Sequence, residues 1–221
     1  MTEQQYQPIF DSETVNLGVM AGHTWKTDPK RLGFTLARYK FVAKMLAGSN
    51  TVLEVGCGDA WATSIVAAEV GHLTAVDFDD RFILDAAPRL PSNVRMIVAD
   101  LVDDIIYPPD RIPTYFDAAY ALDVLEHIRP EDEGAFLGHI CMSIGSRGAF
   151  VCGMPSLESQ TYASKLSVAG HVNCKTEEGF RDTLKRYFRN VFLFGMNDET
   201  VHTGYGPMCH YRLAVCCGAK T

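Results

Sequence analysis

Hydrophobic and polar positions follow two periods along this chain, and the two alternate. Short apolar or β-branched runs occur at 51–55, 72–77, 94–99, 116–121, 148–153, 191–194 and 209–217, each compatible with a buried strand. Between them the apolar positions fall at helical spacing. Asp28 and Pro29 open one such stretch, with Phe34, Ala37, Phe41, Val42, Met45 and Leu46 on one stripe and Gly48 at its end. Others run from Ala60 to Val70, from Arg81 behind the capping acids Asp79 and Asp80, and from Pro130 through Phe136, Leu137, Ile140, Cys141 and Ile144. Thr176 caps the last, whose Phe180, Leu184 and Phe188 face inward while Lys185, Arg186 and Arg189 suit its negative end. Strands alternating with helices predict an α/β fold, here seven strands in one sheet with helices on both faces. Residues 1–27 read as irregular, and 102–115, 154–175 and 195–207 as polar loops.

Chemistry concentrates between Thr51 and Trp61. A strand ends in Gly56, Cys57 and Gly58 and a helix follows directly, so backbone can approach a ligand closely while the helix start offers free N–H groups. A nucleotide-type ligand suits such a turn. A dinucleotide fingerprint wants a small residue three positions after the second glycine; here that position is Trp61, too large for close helix–strand packing. Asp77 ends the second strand about twenty residues beyond the turn, where a carboxylate can accept two hydrogen bonds from a ribose diol.

The stretch Glu54-Val-Gly-Cys-Gly58 resembles motif I of the class I S-adenosylmethionine (SAM) dependent methyltransferases, with Ala60 where a third glycine usually falls. Asp123-Val-Leu-Glu-His127 is similar to a stretch found in many small-molecule members, and the resemblance spans residues 50–130 in order and spacing. It implies a Rossmann-like seven-stranded sheet with an antiparallel last strand, SAM as cofactor and S-adenosylhomocysteine as product. By the same resemblance Glu54, Gly56, Cys57, Gly58, Asp77, Phe78, Asp100, Leu101 and Asp123 bind the cofactor, with Asp77 at the ribose, Asp100 and Leu101 at the adenine, and Asp123 beside the methionine part. Residues 1–48 would form a helical lid within a single 1–221 domain, bringing His23, Trp25, Arg38 and Tyr39 over the cofactor or substrate. The chain is further similar to methyltransferases of bacterial surface-saccharide pathways.

Composition narrows the partners. The 221 residues, 47% of them apolar, suit one globular domain. A formal net charge of −7 argues against general binding to a phosphate backbone, so no nucleic-acid partner is expected. No apolar run reaches the roughly eighteen residues of a membrane span, and the N-terminus lacks a cationic start and apolar core, so a cytoplasmic protein is expected. Seven cysteines without a CxxC pair suit reduced, packed thiols, including Cys209, Cys216 and Cys217 beside His210. Monomer and homodimer stay open.

Methyl transfer to a hydroxyl needs help with the leaving proton. His171 and His202 lie in the two polar loops expected around the pocket, and either neutral imidazole suits a base near pH 7. Trp25, Arg38, His127, Asn173, Asn197 and Tyr205 are the candidate substrate contacts. Loops so rich in hydroxyl- and amide-recognising groups point to a small polar metabolite, plausibly an activated sugar or saccharide precursor. Alternatives are N-methylation of a small amine, a pyridine-nucleotide oxidoreductase and a noncatalytic SAM-binding protein. Asp123 and Glu126 make only a partial ligand set, so no metal is expected.

Overall fold

Strands apolar on both faces can bury themselves only in the middle of a layered fold, and that is where they lie. The structure, a computed structural model, describes residues 7–10, 12–109 and 115–220. Residues 1–6 and 11 of the N-terminal segment and 110–114 of the 102–115 loop lie outside the described residues. The strands are β1 (Thr51–Val55), β2 (His72–Asp77), β3 (Val94–Val98), β4 (Ala118–Leu122), β5 (Ala149–Pro155), β6 (Phe188–Asn197), β7 (Thr200–His202) and β8 (Tyr211–Ala219). They form one sheet in the order β3-β2-β1-β4-β5-β8-β6-β7. The first five are parallel; β8 inserts antiparallel between β5 and β6, and β7 pairs antiparallel with β6.

The helices are α1 (Gln7–Phe10), α2 (Val19–Thr27), α3 (Lys30–Met45), α4 (Thr63–Ala67), α5 (Asp80–Ala86), α6 (Glu133–Ile144), α7 (Lys165–Gly170) and α8 (Glu177–Tyr187). Side chains alternate across each strand, so the core has two halves. Leu53, Ala119, Phe150 and Cys152 pack with Phe136 and Ile140 of α6 and Phe180 and Leu184 of α8. On the opposite face Val52, Leu73, Ala118 and Tyr120 pack with Val42 of α3, Val66 of α4 and Ile83 of α5. The strand order reverses between β1 and β4, which opens a crevice beyond their carboxyl ends.

Several expectations change. The sheet has eight strands, not seven, because Asp198, at φ 51, turns the chain back within the 195–207 loop and lets 200–202 pair with β6. Phe188 and Arg189 begin β6 rather than ending the preceding helix. The 60–70 helix contracts to α4. The 1–27 segment holds α2 and the 154–175 segment holds α7, capped by Ser164 accepting from the Ser167 N–H. Asp28 closes α2 instead of capping α3, which starts behind Pro29 without a side-chain cap. Asp79 and Thr176 do cap α5 and α8, as their positions suggest. Among the described residues no helix is long and apolar enough to cross a membrane.

Candidate active site

The turn after β1 is held by its own backbone and by one acid. The N–H groups of Gly56 and Cys57 both donate to the Val76 carbonyl, at 2.8 and 3.0 Å. Gly56 has φ 70, and a Cβ there would lie 2.4 Å from Val124 Cγ2, so only glycine fits between the turn and the segment after β4. Gly58, at φ 54, donates its N–H to Asp77 Oδ2 at 2.8 Å, and Asp77 Oδ1 accepts from the Asp79 N–H at 3.0 Å. Each Asp77 oxygen keeps further acceptor capacity toward the crevice. Ala60, where a third glycine is usual, also sits in the left-handed region at φ 51, a conformation that costs a residue with a Cβ about 1 kcal/mol.

Beyond this turn lies a cleft of about 720 Å³. Gly56, Gly58, Asp77, Phe78, Asp100, Leu101, Asp123 and His127 line it, drawn from the ends of β1, β2, β3 and β4. Phe78 stands 74% exposed at the rim while Leu101 is buried. Asp100 Oδ1 accepts from the Val102 N–H at 2.8 Å, which shapes the loop after β3. A second cavity of about 400 Å³ lies under α2 and α3, lined by His23, Arg31, Tyr39, Cys57 and Trp61. Met20, Gly56, Gly58 and Asp123 are walls of both.

Glu54 lines neither cavity. It is buried behind the turn, where Oε1 accepts from Tyr39 Oη at 2.8 Å and Oε2 from Thr63 Oγ1 at 2.7 Å, tying α3 and α4 to β1. Burial pushes its carboxyl up to about 7, against the Thr63 and Tyr39 hydroxyls, which pull it down. The folded chain therefore holds this proton more tightly than the unfolded chain, where a Glu titrates near 4.3. Its contribution to stability is complete below about pH 4 and is lost as pH rises through 7. Between pH 5 and 8 the unfolding free energy should fall by roughly 3 kcal/mol more in the wild type than in Glu54→Gln, measured by urea denaturation at both values. Equal falls would assign the titration elsewhere.

Asp123 follows β4 in a left-handed conformation, φ 56, the kind of strain that packing must hold in place. Arg38 of α3 does so: Nη1 donates to both Asp123 oxygens at 2.9 and 2.8 Å, and its guanidinium lies 3.7 Å over the Tyr211 ring. Glu126 is buried nearby, and burial, then the Asp123 charge, raise its carboxyl well above the usual range. The segment before α8 packs on this one. The Asn173 N–H donates to the Glu126 carbonyl at 3.0 Å, and Asn173 Nδ2 donates to Glu133 Oε2 at 2.9 Å. Lys175 bonds both Asn173 Oδ1, at 3.0 Å, and Glu133, at 2.7 Å. Asn173 is thus an anchor, and it lines neither cavity. The anchoring brings His171 edge-on to His127, ring centroids 5.0 Å apart. Burial, then the neighbouring His127, lower the His171 pKa, so the ring is neutral near pH 7.

The other expected contacts lie apart. His202, on β7, is separated from β1 by four intervening strands, with Nε2 on Asn197 Oδ1 at 2.7 Å and Nδ1 accepting from the Gly204 N–H at 3.0 Å. Asn197 also donates to the Met208 carbonyl at 3.0 Å, so both residues brace the hairpin. Tyr205 and Trp25 are exposed, at 71% and 67%, and line neither cavity. Sequence reasoning overlooked the Met20 and Asp59 contact. Asp59 Oδ2 accepts from the Met20 N–H at 2.8 Å and pins α2 over the glycine turn. An acid directly after Gly58 was the available signal.

Comparison with known proteins agrees with this geometry. Residues 52–148 match the family described as methyltransferase domain. No curated protein matches the chain significantly. Among solved structures, a SAM-dependent methyltransferase from Clostridium acetobutylicum has a TM-score of 0.67 at 12% identity, covering 90% of this chain and 98% of that one. N-methyltransferase NodS from Bradyrhizobium japonicum, in complex with S-adenosylhomocysteine, has a TM-score of 0.62 at 16% identity, covering 91% and 94%. A TehB-like SAM-dependent methyltransferase from Corynebacterium glutamicum has a TM-score of 0.60 at 20% identity, covering 84% and 88%. With its glycine turn, strand-end acids and switch-point cleft, the chain carries a methyltransferase domain across 52–148 and shares the fold of SAM-dependent methyltransferases.

Proposed function

We propose that this enzyme methylates a hydroxyl of a small polar molecule such as an activated sugar or saccharide precursor. The observation that supports it most is the convergence of Glu126 and His171 on His127, which lines the cleft, so that an acceptor bound there would meet the methyl group. SAM supplies an electrophilic methyl on a sulfonium sulfur. In this reading Gly56 and Gly58 admit the cofactor against the backbone, Asp77 accepts from its ribose, and Phe78, Asp100 and Leu101 receive its adenine. The negative ends of Asp77, Asp100 and Asp123 suit a ligand bearing amine and hydroxyl donors and a positive sulfur.

A hydroxyl must lose its proton as the methyl arrives, and help with that step is worth about 10² to 10⁴ in rate. His171, close to the cleft and neutral, fits this need; His202, braced within its hairpin, does not. Residues 1–48 act as the lid: Met20 touches both cavities and α3 reaches Asp123 through Arg38. Seven free thiols and a net charge of −7 favour a reducing cytoplasm and a substrate other than nucleic acid.

The test is an assay of S-adenosylhomocysteine release with panels of polyhydroxylated and aminated acceptors, followed by identification of the methylated atom by NMR. An O-methyl product is expected. Turnover confined to amines would overturn the reading in favour of N-methylation, the activity named for NodS. Unchanged turnover in the chain lacking residues 1–27 would remove the lid.

A further inference from the structure

Glu126, His127 and His171 each bring a ligand-capable atom within 4.8 Å of the other two. Two features of this cluster have no purpose in an ordinary packed site. Glu126 is 1% exposed, and its Oε2 has no hydrogen-bond partner, an arrangement costly for any buried carboxyl oxygen. Both imidazoles are also oriented through the same ring atom. His127 Nδ1 lies 2.9 Å from the Gly170 carbonyl and His171 Nδ1 2.8 Å from Gln160 Oε1. Those oxygens only accept, so each Nδ1 carries the proton and each Nε2 keeps a lone pair. Oxygen acceptors behind the second nitrogen are how metal-binding histidines are held.

We propose that Glu126, His127 and His171 hold a divalent first-row transition-metal ion on the acceptor side of the cleft. Two imidazoles and one carboxylate favour ions such as Mn²⁺, Fe²⁺ or Co²⁺ over the all-oxygen cages of Ca²⁺ and Mg²⁺. Bonds of roughly 2.1 Å need the donors about 4 Å apart or less, so the three donors, now within 4.8 Å of one another, close slightly around the ion. The surrounding charge permits it. Asp123 adds a negative group, Arg38 is neutralised by its pair with Asp123, and Arg31 is the cation that works against the site.

The part such an ion plays in catalysis rests on the O-methylation reading; its binding does not. Three protein donors leave coordination positions open. An acceptor hydroxyl that occupies one loses its proton to water more readily, and its oxygen lone pair forms the new C–O bond as the C–S bond of the sulfonium breaks to leave the thioether. His171 is then a ligand, and no separate base is required.

The test uses the full chain stripped with EDTA, without SAM or acceptor, titrated calorimetrically with Mn²⁺ and separately with Co²⁺. One equivalent should bind saturably, at least tenfold more weakly in Glu126→Gln, His171→Ala and His127→Ala. The Co²⁺ form should show a ligand-field band that changes in His171→Ala, and His72→Ala, at the exposed start of β2, should behave as wild type. His127 is exposed, so its variant keeps the test valid where Glu126→Gln fails to fold. No saturable binding, or equal affinity in every variant, meaning an adventitious ion only, overturns the site. Hydroxyl methylation that survives complete chelation overturns its catalytic part. Ion binding alongside methylation of amines alone would leave the site standing and overturn the O-methylation reading.

Discussion

Asp77→Ala is expected to weaken SAM binding a hundredfold or more. In the wild type this carboxylate accepts from the Gly58 N–H at 2.8 Å and the Asp79 N–H at 3.0 Å, joining the end of β2 to the glycine turn. It is only 7% exposed, and it lines the cleft. The substitution removes the acceptor proposed for the ribose hydroxyls and also frees the turn that shapes the cofactor site. Hydrogen bonds to a charged group contribute about 1.5–3 kcal/mol each, and each 1.4 kcal/mol is tenfold in affinity, so losing two is enough for the expected effect. Calorimetric titration with SAM reads it directly. Asp77→Asn keeps an oxygen for the Gly58 N–H but loses the charge, and should fall between the two. Wild-type affinity in a folded Asp77→Ala protein would move the cofactor out of this cleft.

Arg38→Ala should lower stability by about 2–3 kcal/mol, just below the range for breaking a fully buried pair because Asp123 is partly exposed. In a chain of this length that is about 5–10 °C in melting temperature. Arg38 is the cation seated on Asp123, itself held at φ 56, and its guanidinium covers the Tyr211 ring. Without it, Asp123 and the buried Glu126 face one another with less positive charge between them, and α3 loses its tether to the cleft. Arg38→Lys should rescue only part, since an ammonium cannot reproduce the flat stack on Tyr211 together with contact to both oxygens. The double substitution Arg38→Ala with Asp123→Ala should recover stability relative to Arg38→Ala alone. A loss below about 0.5 kcal/mol, the level of an ordinary surface ion pair, would show that the pair does not hold the site.

The cleft around the glycine turn was legible because its determinants are local. Strand, glycine turn and helix are contiguous, and Asp77 and Asp100 stand at strand ends whose position beside the turn follows from parallel β–α–β connectivity. One exception is Glu54. Its place in the motif suggested a cofactor contact, but its direction depends on Tyr39, fifteen residues earlier in another element, and on Thr63. Both hydroxyls draw it into the core.

The acceptor side depends on contacts that no local pattern encodes. Arg38 meets Asp123 across 85 positions, and His171 reaches His127 only because Asn173, Lys175 and Glu133 fasten the intervening segment. His202 looked equivalent to His171 in sequence, a histidine in a polar loop. Insertion of β8 between β5 and β6 carries it to the far edge of the sheet, and a two-residue turn at Asp198 makes its segment an eighth strand. By itself, then, the sequence determined the α/β class, the methyltransferase domain and the acids that line its cleft, because periodicity and turn chemistry act over a few residues. Only the tertiary structure decided that His171 and the buried Glu126 meet His127 at the cleft wall, because strand order and long-range anchors, not spacing along the chain, determine which side chains meet.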